Sequence, residues 1–549
     1  MLNKTTVLLI LIIIFGALLR LYNLNWDSGF HLHPDERMIT MVADKITLEN
    51  PNPDFFAYGS FPIYLLKAFG IFVGLFDSQF SNYQSINLVG RFLSALFDLG
   101  TLIILYFLGK KLFDKNVGLL SAFFYAIAVL PIQLSHFYAV DTPLTFFIIL
   151  TLYCLILYTE KHNSKYLILT SISFGLALAT KASAILLIVP IILTLILASQ
   201  ARLGSINKSI FCGSFMAIFT LISFFIFEPF AFLDFQNFWQ QTLTQQAMTK
   251  SAFTFPYTLQ YVGKIPYLYE IQNIFFWGLG PVLATLALIG TIFFTFKTFR
   301  PILNSKFLIL TSFFWLYFAI VGHFAIGFMR YMLPLYPLLC LFAAILFWQI
   351  ILFIKPRISH LLFLILYSLF FILLLIWPLS FISIYSQPNT RVSASEWIYQ
   401  NIPANSLIAR EHWDDGLPLA NRSNYQFLDL PMYDSDLDPL KWEKVNQVLQ
   451  TTDYIIIASN RLYTPLQKMI NCPNLPVDRC YTKTADYYQK LFSGQLGFKK
   501  VAEFSVYPSF KILNFKFKIN DSSSDESFTV YDHPKIMIFA KTSVILWQP

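Results

Sequence analysis

The chain has 549 residues, of which 56% are hydrophobic, 18% aromatic and only 13% charged. This composition excludes a soluble globular protein and indicates an integral membrane protein. The formal charge of +8 does not indicate a nucleic-acid partner, because lysine and arginine fall in short clusters between apolar segments, as they do in cytoplasmic loops.

Apolar runs of about 20 residues predict eleven transmembrane helices. The predicted spans cover approximately residues 5–24, 87–109, 116–137, 142–159, 165–180, 182–199, 210–227, 275–296, 307–326, 331–354 and 359–381. The first span is too long for a signal peptide and lacks a small-residue cleavage site, so we expect a retained anchor.

Positive residues gather on alternate loops, which the positive-inside rule places in the cytoplasm. The clusters are Lys4, Lys110/Lys111/Lys115, Lys161/Lys165, Arg202/Lys208, Lys297/Arg300/Lys306 and Lys355/Arg357. We therefore expect a multi-pass protein of the cell (plasma or inner) membrane with a cytoplasmic N-terminus. The loops 25–86 and 228–274 and the tail after Phe381 are then extracytoplasmic.

Two domains are expected, a transmembrane domain over residues 1–381 and an extracytoplasmic α/β domain over residues 382–549. The tail pattern predicts helices at 393–401 and 484–493 and strands at 406–410, 454–458, 501–506, 527–531 and 535–540. Cys472 and Cys480 lie close together in this polar region and can pair if it faces an oxidising compartment, which the sequence leaves open.

The adjacent carboxylates Asp35 and Glu36 follow the first span directly, within Gly29-Phe-His-Leu-His33-Pro34-Asp35-Glu36-Arg37. Acids at a membrane boundary are costly and suggest a functional site. The alternative is that they cap the short helix from Arg37 to Ile46. Asp141 opens the fourth span at the same predicted level, where helix capping is again an alternative.

Three basic residues, Arg91, Lys181 and Arg330, are predicted at that level too. Arginine offers a planar fork of donors suited to phosphate oxygens, and lysine offers a point charge. The alternative is that each side chain extends to the headgroups of membrane lipids. Three cations beside three acids favour a site that holds an anion against a base.

This arrangement resembles the polyprenyl-phosphate-sugar-dependent glycosyltransferases of the GT-C fold, a family that includes the protein O-mannosyltransferases and the lipid A aminoarabinose transferases. The resemblance extends over most of the chain and rests on the order and sidedness of several short motifs. They are Asp35-Glu36, Arg91-Phe-Leu-Ser-Ala, Asp141-Thr-Pro-Leu-Thr-Phe, Gly175-Leu-Ala-Leu-Ala-Thr-Lys181 and Arg330-Tyr-Met-Leu-Pro-Leu-Tyr-Pro337, with Ala394-Ser-Glu-Trp-Ile398, Glu411-His-Trp-Asp-Asp415 and Tyr531-Asp-His-Pro534 in the tail.

The resemblance implies transfer of a sugar from a polyprenyl-phosphate carrier to an extracytoplasmic acceptor, with inversion. Asp35 would be the general base, and Glu36 and Asp141 would orient the acceptor or the sugar or bind a divalent cation. The leaving phosphate would be bound by Arg91, Lys181 or Arg330. Substrate or acceptor contacts are expected at His33, Tyr331 and Glu228, with Asp234 and residues 411–415 as further candidates. For residues 411–415 the alternative is a solvated turn with Trp413 packed beneath it.

Metal dependence is left open, with Mg²⁺, Mn²⁺ or Zn²⁺ as the candidate ions. A zinc site is chemically reasonable because five histidines lie on or near the outer side, although without close ligand spacing: His31, His33, His136, His323 and His412. The tail lacks the repeated β-trefoil of eukaryotic O-mannosyltransferases, so the resemblance does not fix the acceptor as a protein. A glycan, a lipid and a protein are all left open as acceptors. Sugar, carrier lipid and oligomeric state are also open.

The main alternative function is a polytopic transporter or flippase for a lipid-linked or sugar substrate, in which buried charges couple movement to ions. Against it, the sequence shows no matching halves. A membrane-anchored assembly protein is the other alternative, but one or two spans would suffice for anchoring.

Overall fold

The computed structural model describes residues 3–198, 206–298, 305–512 and 515–545. The chain forms two compact units. The first unit contains Met1–Leu24, His33–Ala247 and Ile265–Leu379, and the second contains Asn25–Leu32, Met248–Lys264 and Ser380–Pro549. The expected domain boundary at residues 381 and 382 stays a prediction.

The first unit is helical. Its helices are α1 (Lys4–Leu21), α2 (Pro34–Lys45), α3 (Phe61–Gly74), α4 (Tyr83–Leu112), α5 (Lys115–Ala126), α6 (Val129–Ser135), α7 (Asp141–Lys161), α8 (Ser164–Leu178), α9 (Ile188–Ala198), α10 (Ile206–Phe227), α11 (Phe230–Leu233), α12 (Phe235–Lys250), α13 (Leu268–Asn273), α14 (Pro281–Thr298), α15 (Ser305–Val321), α16 (Tyr336–Ile354) and α17 (His360–Ile382). The last three residues of α12 and the last three of α17 belong to the second unit.

Every predicted span coincides with helical structure. Six helices in the described ranges are long and apolar enough to cross a membrane, and α5 with α6, bent by 58°, makes a seventh if the pair is one span. The other four spans are shorter apolar helices, at Ser164–Leu178, Ala182–Leu197, Pro281–Phe296 and Ser305–Val321. The helical class is confirmed, and the number and direction of crossings stay predictions. Arg202 and Arg300 of the positive clusters, and residue 199, lie outside the described residues.

Helices α2 and α3 pack on the N-terminal part of α4. Helix α2 begins at Pro34, three residues before the predicted start, because proline suits the first helical position and His33 accepts a hydrogen bond from the Glu36 amide. Buried apolar residues of α2, α3 and α4 form one core with Tyr138 and Val140. This packing fixes the position of α2, which carries Asp35 and Glu36.

A buried charge lies where α5 breaks before α6. The Arg20 guanidinium, at the end of α1, donates to the carbonyl oxygens of Ala126 (2.8 Å) and Tyr125 (3.1 Å). It is also ion-paired with Asp98 of α4, which accepts a hydrogen bond from the Tyr125 hydroxyl. A helix end leaves carbonyls short of donors, and Arg20 adds donors here, although the Tyr125 carbonyl also accepts from the Ala128 amide at 3.2 Å.

The second unit carries the sheets. Its elements are α18 (Thr390–Asn401), β1 (Leu407–Glu411), β2 (Gln426–Leu430), α19 (Pro439–Thr451), β3 (Tyr454–Ile457), α20 (Thr464–Lys468), α21 (Thr482–Phe492), β4 (Phe498–Phe504), β5 (Ser509–Ile512), β6 (Phe515–Lys518), α22 (Glu526–Thr529), β7 (Ile536–Lys541) and α23 (Thr542–Ile545). Five strands form a mixed sheet in the order β2-β1-β3-β7-β4, and β5 pairs with β6. Strand β1 is parallel to β2 and β3, whereas β7 is antiparallel to β3 and β4. The expected small α/β domain is confirmed.

One predicted strand of this unit is wrong. Residues 527–531 include the short helix α22 instead, because the Asp525 side chain accepts a hydrogen bond from the Ser527 amide (2.8 Å) and caps a helical turn.

Cys472 and Cys480 form a disulfide, with their Cα atoms 5.2 Å apart. The interpretation of residues 411–415 as a solvated turn over a packed Trp413 holds in part: residues 412 and 413 form an exposed turn, but Trp413 is 37% exposed and Glu411 ends β1 in the interior.

Candidate active site

Asp35 lies in the first turn of α2 with both carboxylate oxygens engaged. Its Oδ1 accepts a hydrogen bond from the Tyr58 hydroxyl at 2.6 Å, and its Oδ2 is ion-paired with Nη1 of Arg330. The two charged side chains are partly accessible, with 18% and 12% exposed for Asp35 and Arg330. The pair therefore combines a carboxylate and a cation that an incoming molecule can reach.

Asp141 lies at the start of α7 and pairs with Lys181. The Lys181 Nζ is 2.8 Å from Asp141 Oδ1. Burial lowers the pKa of Lys181, but the charge of Asp141 and the neighbouring phenol groups outweigh burial and raise this pKa above its ordinary value. The second Asp141 oxygen, Oδ2, and the Thr142 hydroxyl are buried and have no hydrogen-bond partner in the described part of the chain. Lysine is thus charged here, and Asp141 keeps an acceptor available.

The Tyr331 ring joins these two acid–cation pairs. Lys181 Nζ lies 4.6 Å from the ring centroid, and the Arg330 guanidinium carbon lies 5.8 Å from it. The Tyr331 carbonyl accepts a hydrogen bond from the Tyr317 hydroxyl at 2.9 Å, which fixes the turn that carries Arg330. Cation–π contact at this range contributes about 0.5–1 kcal/mol at accessible sites. Four of the predicted site residues, Asp35, Asp141, Lys181 and Arg330, therefore lie around a fifth.

Glu36 and Arg91 form a separate, fully buried pair. Glu36 accepts hydrogen bonds from Arg91 Nη2 (2.6 Å) and Nε (2.9 Å), and from the Tyr138 amide (2.8 Å). Arg91 Nη1 also donates to the Leu24 carbonyl at 2.6 Å. Neither side chain is exposed. The structure therefore pairs Glu36, which was predicted as an acid of the site, with Arg91, which was predicted to bind phosphate.

The two remaining predicted contacts, His33 and Glu228, have protein partners. His33 caps α2 through Nδ1, 3.3 Å from the Glu36 amide, and its ring stacks on Phe137 at 4.5 Å between centroids. Glu228 follows α10 and is 1% exposed. Its Oε1 accepts from the Ser60 hydroxyl at 2.6 Å, and its Oε2 accepts from the Ser60 amide.

The candidate histidines do not form a metal site. Within the described ranges, no three His, Cys, Asp or Glu side chains lie close enough together to hold an ion. His136 lies between the Ile132 and Tyr22 carbonyls, each at 2.9 Å, and His323 lies near the ring of Tyr267. The predicted carboxylates each face a cationic side chain instead. Among the described residues, Arg330 and Lys181 supply positive charge beside Asp35 and Asp141.

Tyr58, Ser60 and Tyr317 belong to the site but carry no strong sequence signal. Tyr58 and Ser60 flank Gly59 in a loop without periodicity, and Tyr317 lies in an apolar helix. A Gly between two hydroxyl residues just before Phe61-Pro62 was the available sign of close backbone contact.

Comparisons with known proteins bear on the fold that carries these residues. Residues 83–227 match the family model described as dolichyl-phosphate-mannose-protein mannosyltransferase. The crystal structure of the Archaeoglobus fulgidus oligosaccharyltransferase in the apo form superposes with a TM-score of 0.54 at 14% identity, over 92% of this chain and 80% of that chain. The chain has the fold of that membrane enzyme. The expected GT-C fold is thereby confirmed.

Two further structures of this kind show the same fold. Archaeal oligosaccharyltransferase AglB from Archaeoglobus fulgidus, in complex with an inhibitory peptide and a dolichol-phosphate, matches with a TM-score of 0.50 at 12% identity, over 98% of this chain and 88% of that chain. The Archaeoglobus fulgidus oligosaccharyltransferase complex with Zn and sulfate also matches with a TM-score of 0.50, at 13% identity, over 94% of this chain and 74% of that chain. No curated protein matches the chain in sequence.

Proposed function

We propose that the chain is an integral-membrane glycosyltransferase that moves a sugar from a polyprenyl-phosphate carrier to an extracytoplasmic acceptor. The observation that carries the proposal is the convergence of the Asp35–Arg330 and Asp141–Lys181 pairs on the Tyr331 ring. The fold and the family match over residues 83–227 support it.

The two cations are suited to the phosphate of the donor. Arg330 and Lys181 each neutralise one carboxylate, and a phosphate entering between them competes for the same N–H donors. When Arg330 turns to the phosphate, Oδ2 of Asp35 loses its cation and becomes available as a base. Tyr58 continues to donate to Oδ1 and keeps the carboxylate in place.

The reaction is then an in-line displacement. The acceptor hydroxyl oxygen forms a bond to the anomeric carbon while Asp35 takes the hydroxyl proton. The bond from the anomeric carbon to the phosphate oxygen breaks, and its electron pair stays on the phosphate. Arg330 and Lys181 stabilise the negative charge that develops there more in the transition state than before it. Attack opposite the phosphate inverts the anomeric centre.

The remaining predicted residues take different roles. The free Oδ2 of Asp141 and the Thr142 hydroxyl provide acceptors for a hydroxyl group of the sugar. Glu36 and Arg91 satisfy each other and act by holding α2 against α4. Because one neighbour was solved with Zn and sulfate, the release assay described below is run both with and without a chelator.

The disulfide supports an extracytoplasmic second unit. Disulfides form in oxidising compartments and are rare in the cytosol. Because Cys472 and Cys480 are bonded, the side of the membrane on which the unit lies is proposed to be the outer one, where the acceptor would also be bound.

The test is release of polyprenyl phosphate from a panel of polyprenyl-phosphate sugars by purified protein, with cell-envelope extract as the acceptor source. Asp35→Asn should lower release by at least 10²-fold, as expected for loss of a general base. Glu49→Gln is the matched control, because Glu49 is an exposed acid in the segment between α2 and α3. This variant should release polyprenyl phosphate at the wild-type rate. Release that is unaffected by Asp35→Asn would refute the role of Asp35, and no release from any donor would refute the glycosyltransferase.

A further inference from the structure

A short loop segment, residues 58–61, connects the two acid–cation pairs. Tyr58 donates to Asp35 at one side of it. On the other side, the Gly59 amide donates to the Thr180 carbonyl and the Phe61 amide donates to the Ala179 carbonyl, each at 3.1 Å. These carbonyls directly precede Lys181, the partner of Asp141. The segment therefore touches both halves of the site.

The contact between this segment and residues 179–180 is unusually close. A Cβ atom added to Gly59 would lie 1.9 Å from the Ala179 carbonyl oxygen, so no larger residue fits there without backbone movement. The donors alternate along the segment: the amides of residues 59 and 61 face backbone carbonyls, and the amide of Ser60 between them faces the opposite way. That middle donor needs a different acceptor.

Glu228 is that acceptor. One carboxylate takes both donors of Ser60, the amide on Oε2 and the hydroxyl on Oε1. Ser60 directly precedes α3, but its side chain does not cap this helix because the hydroxyl donates its hydrogen bond to Glu228. No cation pairs with Glu228 in the described residues, and burial raises its pKa to about 7. A buried carboxylate without a cation is costly, and this one serves a single loop residue.

We propose that Glu228 is a positioning residue: through Ser60 it holds segment 58–61 so that Tyr58 sets the Asp35 carboxylate against the acceptor hydroxyl. This inference rests on the proposed glycosyl transfer. Glu228 is buried too deeply to contact an acceptor. The positioning role therefore replaces the substrate or acceptor contact that the sequence predicted. Its effect travels through Tyr58, since that is the residue of the segment that bonds to Asp35.

The experiment combines two readouts on the full chain in detergent. Glu228→Gln keeps one acceptor oxygen but places an amide NH2 against a Ser60 donor, so amide hydrogen exchange across residues 56–64 should become faster. Polyprenyl-phosphate release should show a kcat lowered by up to about 10-fold, no more than loss of the Tyr58–Asp35 bond itself would cause, with the donor KM changed less than about twofold. Glu49→Gln should leave exchange and kinetics unchanged.

A double-variant cycle separates positioning from general destabilisation. In a Tyr58→Phe background the link to Asp35 is already cut, so Glu228→Gln should lower kcat by less than about twofold further. If the two substitutions lower kcat independently, so that their effects multiply in the double variant, the proposal is overturned. It is also overturned if wild type is active and amide hydrogen exchange at residues 56–64 is unchanged in Glu228→Gln. Absence of release by wild type would instead refute the glycosyltransferase, and the positioning role with it.

Discussion

Replacing Glu36 by Gln distinguishes a structural role of this acid from a catalytic one. The Glu36 carboxylate accepts three hydrogen bonds, two from Arg91 and one from the Tyr138 amide, at 2.6 to 2.9 Å. Glutamine has one acceptor oxygen, so its NH2 group must face a donor. The guanidinium of Arg91 then remains buried without its counter-charge.

The magnitude follows from that burial. Neither side chain of the pair is exposed, and removing one partner of a buried ion pair costs about 3–5 kcal/mol. We expect the melting temperature of Glu36→Gln to fall by about 5–10 °C. In the double variant Glu36→Gln/Arg91→Gln the uncompensated charge is gone, so part of the loss should be recovered.

Thermal unfolding of the detergent-purified protein, followed by tryptophan fluorescence, measures these differences. Wild type, both single variants and the double variant complete the cycle. If Glu36→Gln melts within about 1 °C of wild type but no longer releases polyprenyl phosphate, Glu36 acts on substrate and the reasoning from its burial is wrong.

Substitutions at three further positions test other contacts. Tyr58→Phe removes one donor to Asp35 and should lower polyprenyl-phosphate release about 10-fold in initial-rate assays, with the melting temperature unchanged. Lys181→Gln should raise the donor KM in the same assay, and Lys181→Arg, which keeps the charge, should raise it less. Burial raises the pKa of Glu411 from 4.5 to about 8, so the native state of the second unit loses stability as pH rises from about 4.5 to about 8. Glu411→Gln, which still accepts from Tyr488, should remove that loss in thermal unfolding at pH 5 and pH 8.5.

The eleven predicted spans of the first unit were predictable as helices because each is a long apolar run. The same signal cannot show that α5 and α6 bend by 58°, since both halves are equally apolar. In the second unit, β3 is buried at every position and was predicted. Strand β2 was not, because this edge strand is exposed at Gln426 and Asp429 and lacks an alternating pattern.

The site was predictable as a set of residues but not as a set of pairs. Asp35 and Glu36 are neighbours in sequence with the same chemistry, yet one faces Arg330 and the other faces Arg91. Which cation each acid meets depends on how α2 packs on α4, and no local pattern records that packing. Asp438 before Pro439 shows the opposite case, since this pair is a helix-start signal and α19 begins there.

Arg20 imposes an order on the assembly of the protein in the membrane. Its ion-pair partner Asp98 follows 78 residues later in the chain, and the carbonyls of Tyr125 and Ala126 follow later still. During synthesis from the N-terminus, α1 is therefore made with a guanidinium that lacks its counter-charge and, within α1, donates to the Gly16 carbonyl. That charge must stay at the lipid interface until α4 and α5 have inserted. The first helix is thus anchored early and reaches its final depth late, after the four helices α2 to α5 have been made.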